Sequence, residues 1–286
     1  YQYTVSQLPA ENLFWEEFTM QHSLNQVRMI ATDMDGTLLD DNKQLPKNFD
    51  NIVKRLFNKN IRFVISSGRS YCTLKKQFSE YLDDMTFICD NGAYVVDKGK
   101  LLSVSVLPKD TVKEAVRFCD KLGLTVLLCG KNGTWHNSRN DSQHQEIASY
   151  YVNQVKMEDL TLVDDDIFKI AVFEESGIEN DGYSKLEERF GENFNVQLSG
   201  KYWTDIMNKG VTKGTALRTI ENRIGVRYEE TMAFGDYLND VDMLNNSYYS
   251  FAMSNAHESI KKVANFMTGS NNDNSVMKEI EKHCLA

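Results

Sequence analysis

The chain has 286 residues, enough for about two domains and a sizeable buried core, with 41% hydrophobic and 26% charged residues. A formal charge of −9 argues against nucleic acid as a partner, because phosphate backbones demand clustered Lys and Arg. No apolar run approaches the roughly 18 to 20 residues of a membrane span. The five cysteines (Cys72, Cys89, Cys119, Cys129, Cys284) form no C-x-x-C pair. That pattern excludes a zinc site or disulfide framework as the expected use and points to a reducing cytoplasm.

Residues 1–26 have neither a basic start nor an apolar stretch, so they are expected to be an extension outside the fold rather than a signal peptide. Residues 27–32 form a short apolar run that ends in acidic residues, the pattern of a buried parallel strand. In 46–58, Phe49, Ile52, Val53, Leu56 and Phe57 recur at helical spacing, with Pro46 in the first turn. Asn60 falls where a left-handed stop belongs. A strand at 61–65, a loop at 66–70, a helix carrying Leu74, Phe78 and Leu82, and a strand at 86–89 follow. This β-α-β-α-β order predicts a doubly wound parallel sheet, in which ligands bind beyond the carboxyl ends of the strands. Asp33, Ser67 and Asn91 each lie just past such an end.

Residues 108–198 read as a separate α/β unit. Val112, Ala115, Val116, Cys119 and Leu122 line one helical face, and strands are expected at 124–129 and 167–173. Further helices carry Ile147, Tyr150 and Tyr151, then Tyr183, Leu186 and Phe190. After Tyr202 the first pattern resumes: a helix from Lys213 to Ile224, a strand at 231–234 ending in Gly235-Asp236, a helix at 240–244 and a strand at 248–253. A helix at 257–264, a strand at 265–268 and a last helix close the chain. The expected architecture is α/β: a Rossmann-like core domain of residues 27–107 and 199–286, interrupted by an α/β cap at 108–198.

Four elements carry chemistry. In Asp33-Met34-Asp35-Gly36-Thr37, two carboxylates where a strand opens into a loop can address one small volume, and Gly36 permits the turn. One can attack phosphorus while the other handles the leaving group's proton. A calcium loop shares the Asp-x-Asp-Gly spelling, but lacks here the glutamate near its twelfth position. Ser67-Gly68-Arg69, with Ser66 as local competitor, can hold phosphate oxygens by a hydroxyl and an exposed N–H. Lys213, with Lys209 as the alternative, can neutralise charge on a nucleophile and a transferring phosphoryl group. In Gly235-Asp236-Tyr237-Leu238-Asn239-Asp240, Asp236 can share a magnesium ion with Asp33, and Asp240 can orient the site from behind. The run Asp164-Asp165-Asp166 is expected to be a solvated loop.

Together these motifs resemble the haloacid dehalogenase (HAD) superfamily of phosphatases, most closely its Cof-type subfamily IIB, whose large α/β cap lies between the second and third motifs. Asn91-Gly92-Ala93, Val211-Thr212-Lys213-Gly214 and Ala252-Met253-Ser254-Asn255-Ala256 add to the resemblance. Asp273-Asn274-Ser275-Val276 departs from the usual Asp-Gly-Val, although Asn can adopt the same left-handed turn. The resemblance implies a Mg2+-dependent hydrolase of phosphate monoesters of small metabolites, such as sugar phosphates, nucleotides or pyridoxal phosphate. It makes Asp33 the nucleophile and a metal ligand. Asp35 becomes the acid–base group and a metal ligand through its backbone carbonyl; Ser67 and Gly68 bind phosphoryl oxygens; Lys213 neutralises charge; Asp236 binds metal. Asn239 and Asp240 complete the acidic site, with Arg69 and Asn91 at the substrate's edge. Alternatives are a phosphomutase or phosphotransferase on hexose phosphates and an inactive sugar-phosphate sensor. Candidates for substrate contact in the cap are Trp135, His136, Arg139, His144, Tyr150, Tyr151 and Lys169.

Overall fold

The computed structural model describes residues 27–285; the extension at 1–26 lies outside the described residues. Strand β1 (Met29–Thr32) is buried at every position, as its unbroken apolar run requires. It pairs in parallel with β2 (Arg62–Ser66) on one side and with β12 (Thr231–Gly235) on the other. From there the sheet grows both ways. β3 (Thr86–Cys89), β4 (Tyr94–Asp97) and β5 (Lys100–Val104) follow β2, the last two antiparallel. β13 (Tyr249–Ala252) and β14 (Phe266–Met267) follow β12 in parallel. The order of this eight-stranded sheet is β14-β13-β12-β1-β2-β3-β4-β5. The winding direction reverses between β1 and β12, so the crevice past their carboxyl ends is where such a sheet binds ligands.

The flanking helices bury one stripe each. Helix Phe49–Asn58 buries Phe49, Ile52, Val53 and Leu56, one turn after another. Each such side chain contributes roughly 1.5–3 kcal/mol on leaving water. Asn60 closes the helix in the expected left-handed conformation, φ 57°, and Asn274 has φ 55° at the departure from the usual spelling. Helix Lys213–Ile224 begins where Thr212 accepts a hydrogen bond from the Thr215 N–H, and ends at left-handed Gly225.

The second sheet has six strands in the order β10-β11-β9-β6-β7-β8. They are β6 (Thr125–Gly130), β7 (Thr134–His136), β8 (Gln154–Lys156), β9 (Ile167–Phe173), β10 (Phe194–Gly200) and β11 (Trp203–Asn208). Only β7 and β8 pair in parallel. On one face Val126, Leu128, Ile170, Val172 and Ile206 pack with Val116 and Leu186 of the helices Lys109–Leu122 and Gly182–Phe190. On the other, Leu127, Cys129 and Ala171 meet Ile147 and Tyr151.

This sheet corrects the expected cap boundary. Leu198 lies inside β10, and β11 carries the second unit on to Asn208. The hairpin was missed because its turn, Lys201-Tyr202, carries no Gly, Asn or Pro within the loop itself. The β4–β5 hairpin was also absent from the expected elements. The Asn208 amide donates to Ser105 Oγ and to the Val106 carbonyl, both at 2.9 Å, tying the chain's exit from the cap to its entry. Tyr94 of the core and Phe168 of the cap stack across the junction at 5.1 Å.

Candidate active site

A cavity of about 450 Å³ opens past the carboxyl ends of β1 and β12, between the core and the cap. That size lies within the usual range for small-molecule sites. Its floor is charged. The N–H of Asp33 donates to the Phe234 carbonyl at 3.0 Å, fixing the end of β1 against β12. Lys213, fully buried at the start of its helix, donates to Asp33 Oδ1 at 2.5 Å and to Asp240 Oδ1 at 2.7 Å. The other Asp240 oxygen accepts from the N–H groups of Asp236 and Tyr237 at 2.9 and 3.1 Å. Asp240 therefore orients the loop and the lysine together, with both oxygens occupied. Thr37 Oγ1 donates to Asp236 Oδ1 at 2.8 Å. Gly36 is left-handed, φ 82°, and a Cβ there would collide with the Asp236 carboxylate. Glycine is thus required by both backbone and space.

Carboxylate oxygens of Asp33, Asp236 and Asp240 all lie within 4.8 Å of one another. Burial drives the Asp33 carboxyl up to about 7 against the pull of Lys213. Burial, and then the charges of Asp33 and Asp240, push Asp236 well above the ordinary range. One lysine does not offset three converging carboxylates. Such a set of hard oxygen donors suits a small divalent cation such as magnesium.

Asp35 points elsewhere. Its carboxylate takes a forked pair of hydrogen bonds from Arg69, Nε to Oδ2 at 2.8 Å and Nη2 to Oδ1 at 2.7 Å, and a third from Lys43 at 2.8 Å. Burial opposes its ionisation, but Arg69 and Lys43 outweigh burial and hold the carboxyl below its usual range. The resemblance gives Asp35 to the cation by its backbone carbonyl, which leaves its carboxylate to Arg69 and Lys43. The third carboxylate of the acidic cluster is Asp240.

The phosphate-loop candidates sit beside this floor. The Ser67 N–H donates to the Ile88 carbonyl at 2.8 Å, and Ser67 Oγ accepts from the Arg69 N–H at 3.1 Å. Ser67, Gly68 and Arg69 all line the cavity. Ser66 Oγ is instead buried without a hydrogen-bond partner, and Ser66 does not line the cavity. Lys209 donates to the Gly191 carbonyl at 2.6 Å and does not line the cavity. Asp90 and Asn91 are both left-handed, φ 48° and 53°, a strain of about 1–3 kcal/mol each. Their N–H groups bond to the Arg69 and Ser67 carbonyls, each at 3.0 Å. Asn239 donates to Asn91 Oδ1 at 3.0 Å. Asn91 is thereby a brace between loops, and it does not line the cavity.

The roof comes from the cap. Tyr150 lies over Lys43 and Arg69, with the cations 5.0 and 5.5 Å from its ring centre. Trp203 packs edge-on to Tyr150 at 6.1 Å and donates from Nε1 to Glu146 at 3.3 Å. Ser199, Gly200, Lys201 and Tyr202 complete this wall. Of the seven cap candidates, Tyr150, Tyr151 and Lys169 line the cavity. Trp135 packs into the cap core, His136 pairs with Gln154 and stacks on His144, and Arg139 caps the Gly123 carbonyl. Lys43, Glu146 and Trp203 were missed. Before the turn that leads to Trp203, residues 194–198 alternate apolar and polar, but the run after it, Trp203-Thr204-Asp205-Ile206, does not. Asp164 pairs with Lys109 at the surface, as a solvated loop should.

An acidic, lysine-braced cleft thus lies at the switch point of a doubly wound sheet, roofed by an inserted α/β unit. The chain belongs to the haloacid dehalogenase-like hydrolases, whose family pattern matches residues 30–280. It is 29% identical over 259 residues to the 5-amino-6-(5-phospho-D-ribitylamino)uracil phosphatase YbjI of Escherichia coli K12, covering 90% of this chain and 96% of that protein. Among solved structures it resembles SMU.1108c from Streptococcus mutans UA159, with a TM-score of 0.87 and 26% identity over 91% of this chain and 100% of the other. The fold is shared with the HAD subclass IIB sugar phosphatase BT4131, with a TM-score of 0.78 and 22% identity over 90% of this chain and 98% of the other. Among the described residues no helix is long and apolar enough to cross a membrane.

Proposed function

We propose that the protein hydrolyses phosphate monoesters of small metabolites by way of a phospho-aspartate on Asp33, with Mg2+ as cofactor. The observation that carries this is the Asp33 carboxylate itself, at the cavity floor, 2.5 Å from a fully buried lysine and among converging acids. In the first step an Asp33 oxygen attacks phosphorus in line, the ester P–O bond breaks, and Asp35 gives its proton to the departing alkoxide. In the second, water attacks the phospho-aspartate, Asp35 takes the water's proton, and inorganic phosphate leaves with Asp33 restored. Ser67 and the Gly68 N–H hold phosphoryl oxygens, and Lys213 balances the charge that accumulates on them. Asp33 and Asp236 would hold the cation by their carboxylates and Asp35 by its backbone carbonyl, since both oxygens of Asp240 are engaged. When bound, the cation supplies electrostatic neutralisation of the phosphoryl oxygens.

The Arg69–Lys43 grip on Asp35 suits the second step, where Asp35 must be a carboxylate. For the first step the grip must be shared with an incoming phosphate, and Arg69 at the cavity wall is placed for that. The Escherichia coli relative's name describes a phosphorylated polyol chain ending in a planar ring. Asp33, Tyr150 and Trp203 line one cavity, and we extend that class of substrate to this protein, with its ring against Tyr150 and Trp203 and its phosphate on Asp33. Assaying release of inorganic phosphate from sugar phosphates, nucleotides, pyridoxal phosphate and ribityl phosphates, with magnesium and with EDTA, tests the proposal. Magnesium-dependent release from at least one class is expected. Isomeric sugar phosphates without free phosphate would instead identify a mutase, and no turnover of any ester would end the reading.

A further inference from the structure

Lys169 is a single charge in an otherwise apolar cap strand, Ile-Phe-Lys-Ile-Ala-Val-Phe, and it is 1% exposed. Its ammonium reaches out of the cap to the core. It donates to the Gly68 carbonyl at 2.5 Å, lies 3.2 Å from Asp90 Oδ1, and also touches Tyr151 Oη at 3.1 Å and Asp205 Oδ2 at 3.9 Å. Asp205, on the neighbouring strand β11, accepts from the Asn91 amide at 2.5 Å. Two cap residues therefore hold the core loop at 67–69, which carries the proposed phosphate-binding groups, and the loop at 90–91 that braces it.

The consequence is local and chemical. The peptide between Gly68 and Arg69 is pinned at both ends: its carbonyl by Lys169, its N–H by Ser67 Oγ. With one Ser67 lone pair committed to that N–H, the hydroxyl hydrogen is left to point toward a phosphoryl oxygen in the cavity. The same peptide orientation launches Arg69 toward Asp35. The strained pair Asp90-Asn91 is likewise held by Lys169 and Asp205, and its backbone N–H groups tie it to the loop at 67–69. A buried ammonium whose first partner is a backbone carbonyl, with carboxylates to balance its charge, meets the condition for an ion that orders its surroundings.

We propose that Lys169, assisted by Asp205, is the positioning residue for the phosphate-binding loop at 67–69 and its brace at 90–91, so that the cap completes the phosphate site as well as roofing it. This rests on the phosphatase reading above. The test uses the full-length protein with magnesium, p-nitrophenyl phosphate as substrate and orthovanadate as a phosphate mimic. Lys169→Met with Asp90→Asn removes the ammonium without leaving Asp90 charged and unpaired. It is expected to lower kcat and to raise the vanadate inhibition constant, each at least tenfold. Leu186→Ala, which cuts a cavity in the cap core far from these loops, is the structural control. It is expected to lower Tm while leaving the vanadate constant within twofold. Asp205→Asn, nearly isosteric and still able to meet Asn91, is expected to cost about three- to tenfold in kcat and keeps the test alive should the double variant fail to fold. A wild type without turnover defeats the phosphatase reading. An active wild type whose double variant, or whose Asp205→Asn variant if only that one folds, stays within twofold on both measures overturns the role of Lys169.

Discussion

The floor and the roof of the cavity are built on opposite principles. The floor is made of charges fixed by short hydrogen bonds at strand ends, with Lys213 and Asp240 both fully buried. The roof is made of aromatic rings and long side chains on one helix and one hairpin turn, and Tyr202 there is 38% exposed. A fixed array of charges costs no reorganisation when the phosphoryl group transfers. Rings and long side chains can accept different leaving groups at little energetic difference. On the proposed function, the bond-breaking groups belong to the floor and the contacts to the leaving group belong to the roof.

The sharpest way to break this contrast is Asp33→Asn. It should leave the fold intact and lower kcat for every ester by at least about 10⁴-fold, the scale seen when a covalent nucleophile is lost. Activity near that of the wild type on p-nitrophenyl phosphate would remove Asp33 from the mechanism. Lys213→Met comes next, with a loss in kcat of about 10²- to 10³-fold, comparable to deleting a preorganised donor. It also strands Asp33 and Asp240 without their buried cation, so an unfolding free energy lower by about 3–5 kcal/mol is expected in denaturant titrations.

Proton linkage sharpens the reading of the floor. Burial raises Asp33 from 3.8 to about 7 despite Lys213, so the cation-free folded protein holds a proton that the unfolded chain has released. That contribution to stability is present at low pH and is lost as pH rises through about 7. A cation needs the deprotonated acids, so its stabilising effect runs the other way. The gain in Tm on adding magnesium should therefore be larger at about pH 8 than at about pH 5.5, and Asp33→Asn should flatten that difference. A gain independent of pH would contradict the acidic cluster as the cation's seat.

The roof should respond more weakly and selectively. Trp203→Ala is expected to raise KM for the preferred metabolite about tenfold, the upper range for one aromatic contact, with kcat for p-nitrophenyl phosphate changed less than threefold. Equal losses on both substrates would place Trp203 in the chemistry instead. Smallest of all, Asp164→Ala should leave Tm and kcat unchanged, because the Lys109–Asp164 pair is exposed.

The same contrast explains what could be read from the chain in advance. Acidic residues that interrupt an apolar strand are anomalies, and Asp33 and Asp236 stand out for that reason. Parallel strands joined by amphipathic helices left their period in the sequence, so the core order from β1 to β3 and from β12 to β13 was legible. The cap's edges were not, because the short strands β7 and β8 have no room to show alternation. Lys43 looks like any solvated lysine until the fold brings it to Asp35, and Glu146 sits on a helix whose exposed face is polar throughout. Asp35's carboxylate partners were equally invisible, since they depend on where Arg69 and Lys43 converge. Lys169 was conspicuous as a charge among apolar neighbours, but its partners lie on loops about 80 to 100 residues earlier.

The cap leaves and rejoins the core at one place, where Asn208 bridges to Ser105 and Val106. An insertion that leaves and rejoins the chain at one place forms a sheet and a hydrophobic interior of its own. Its surface can diverge, lengthen or be exchanged while the machinery that severs the ester bond keeps its coordinates. A lineage of such proteins can thus acquire new leaving groups by rewriting one detachable module, provided the few side chains that grip the loops beneath it are retained.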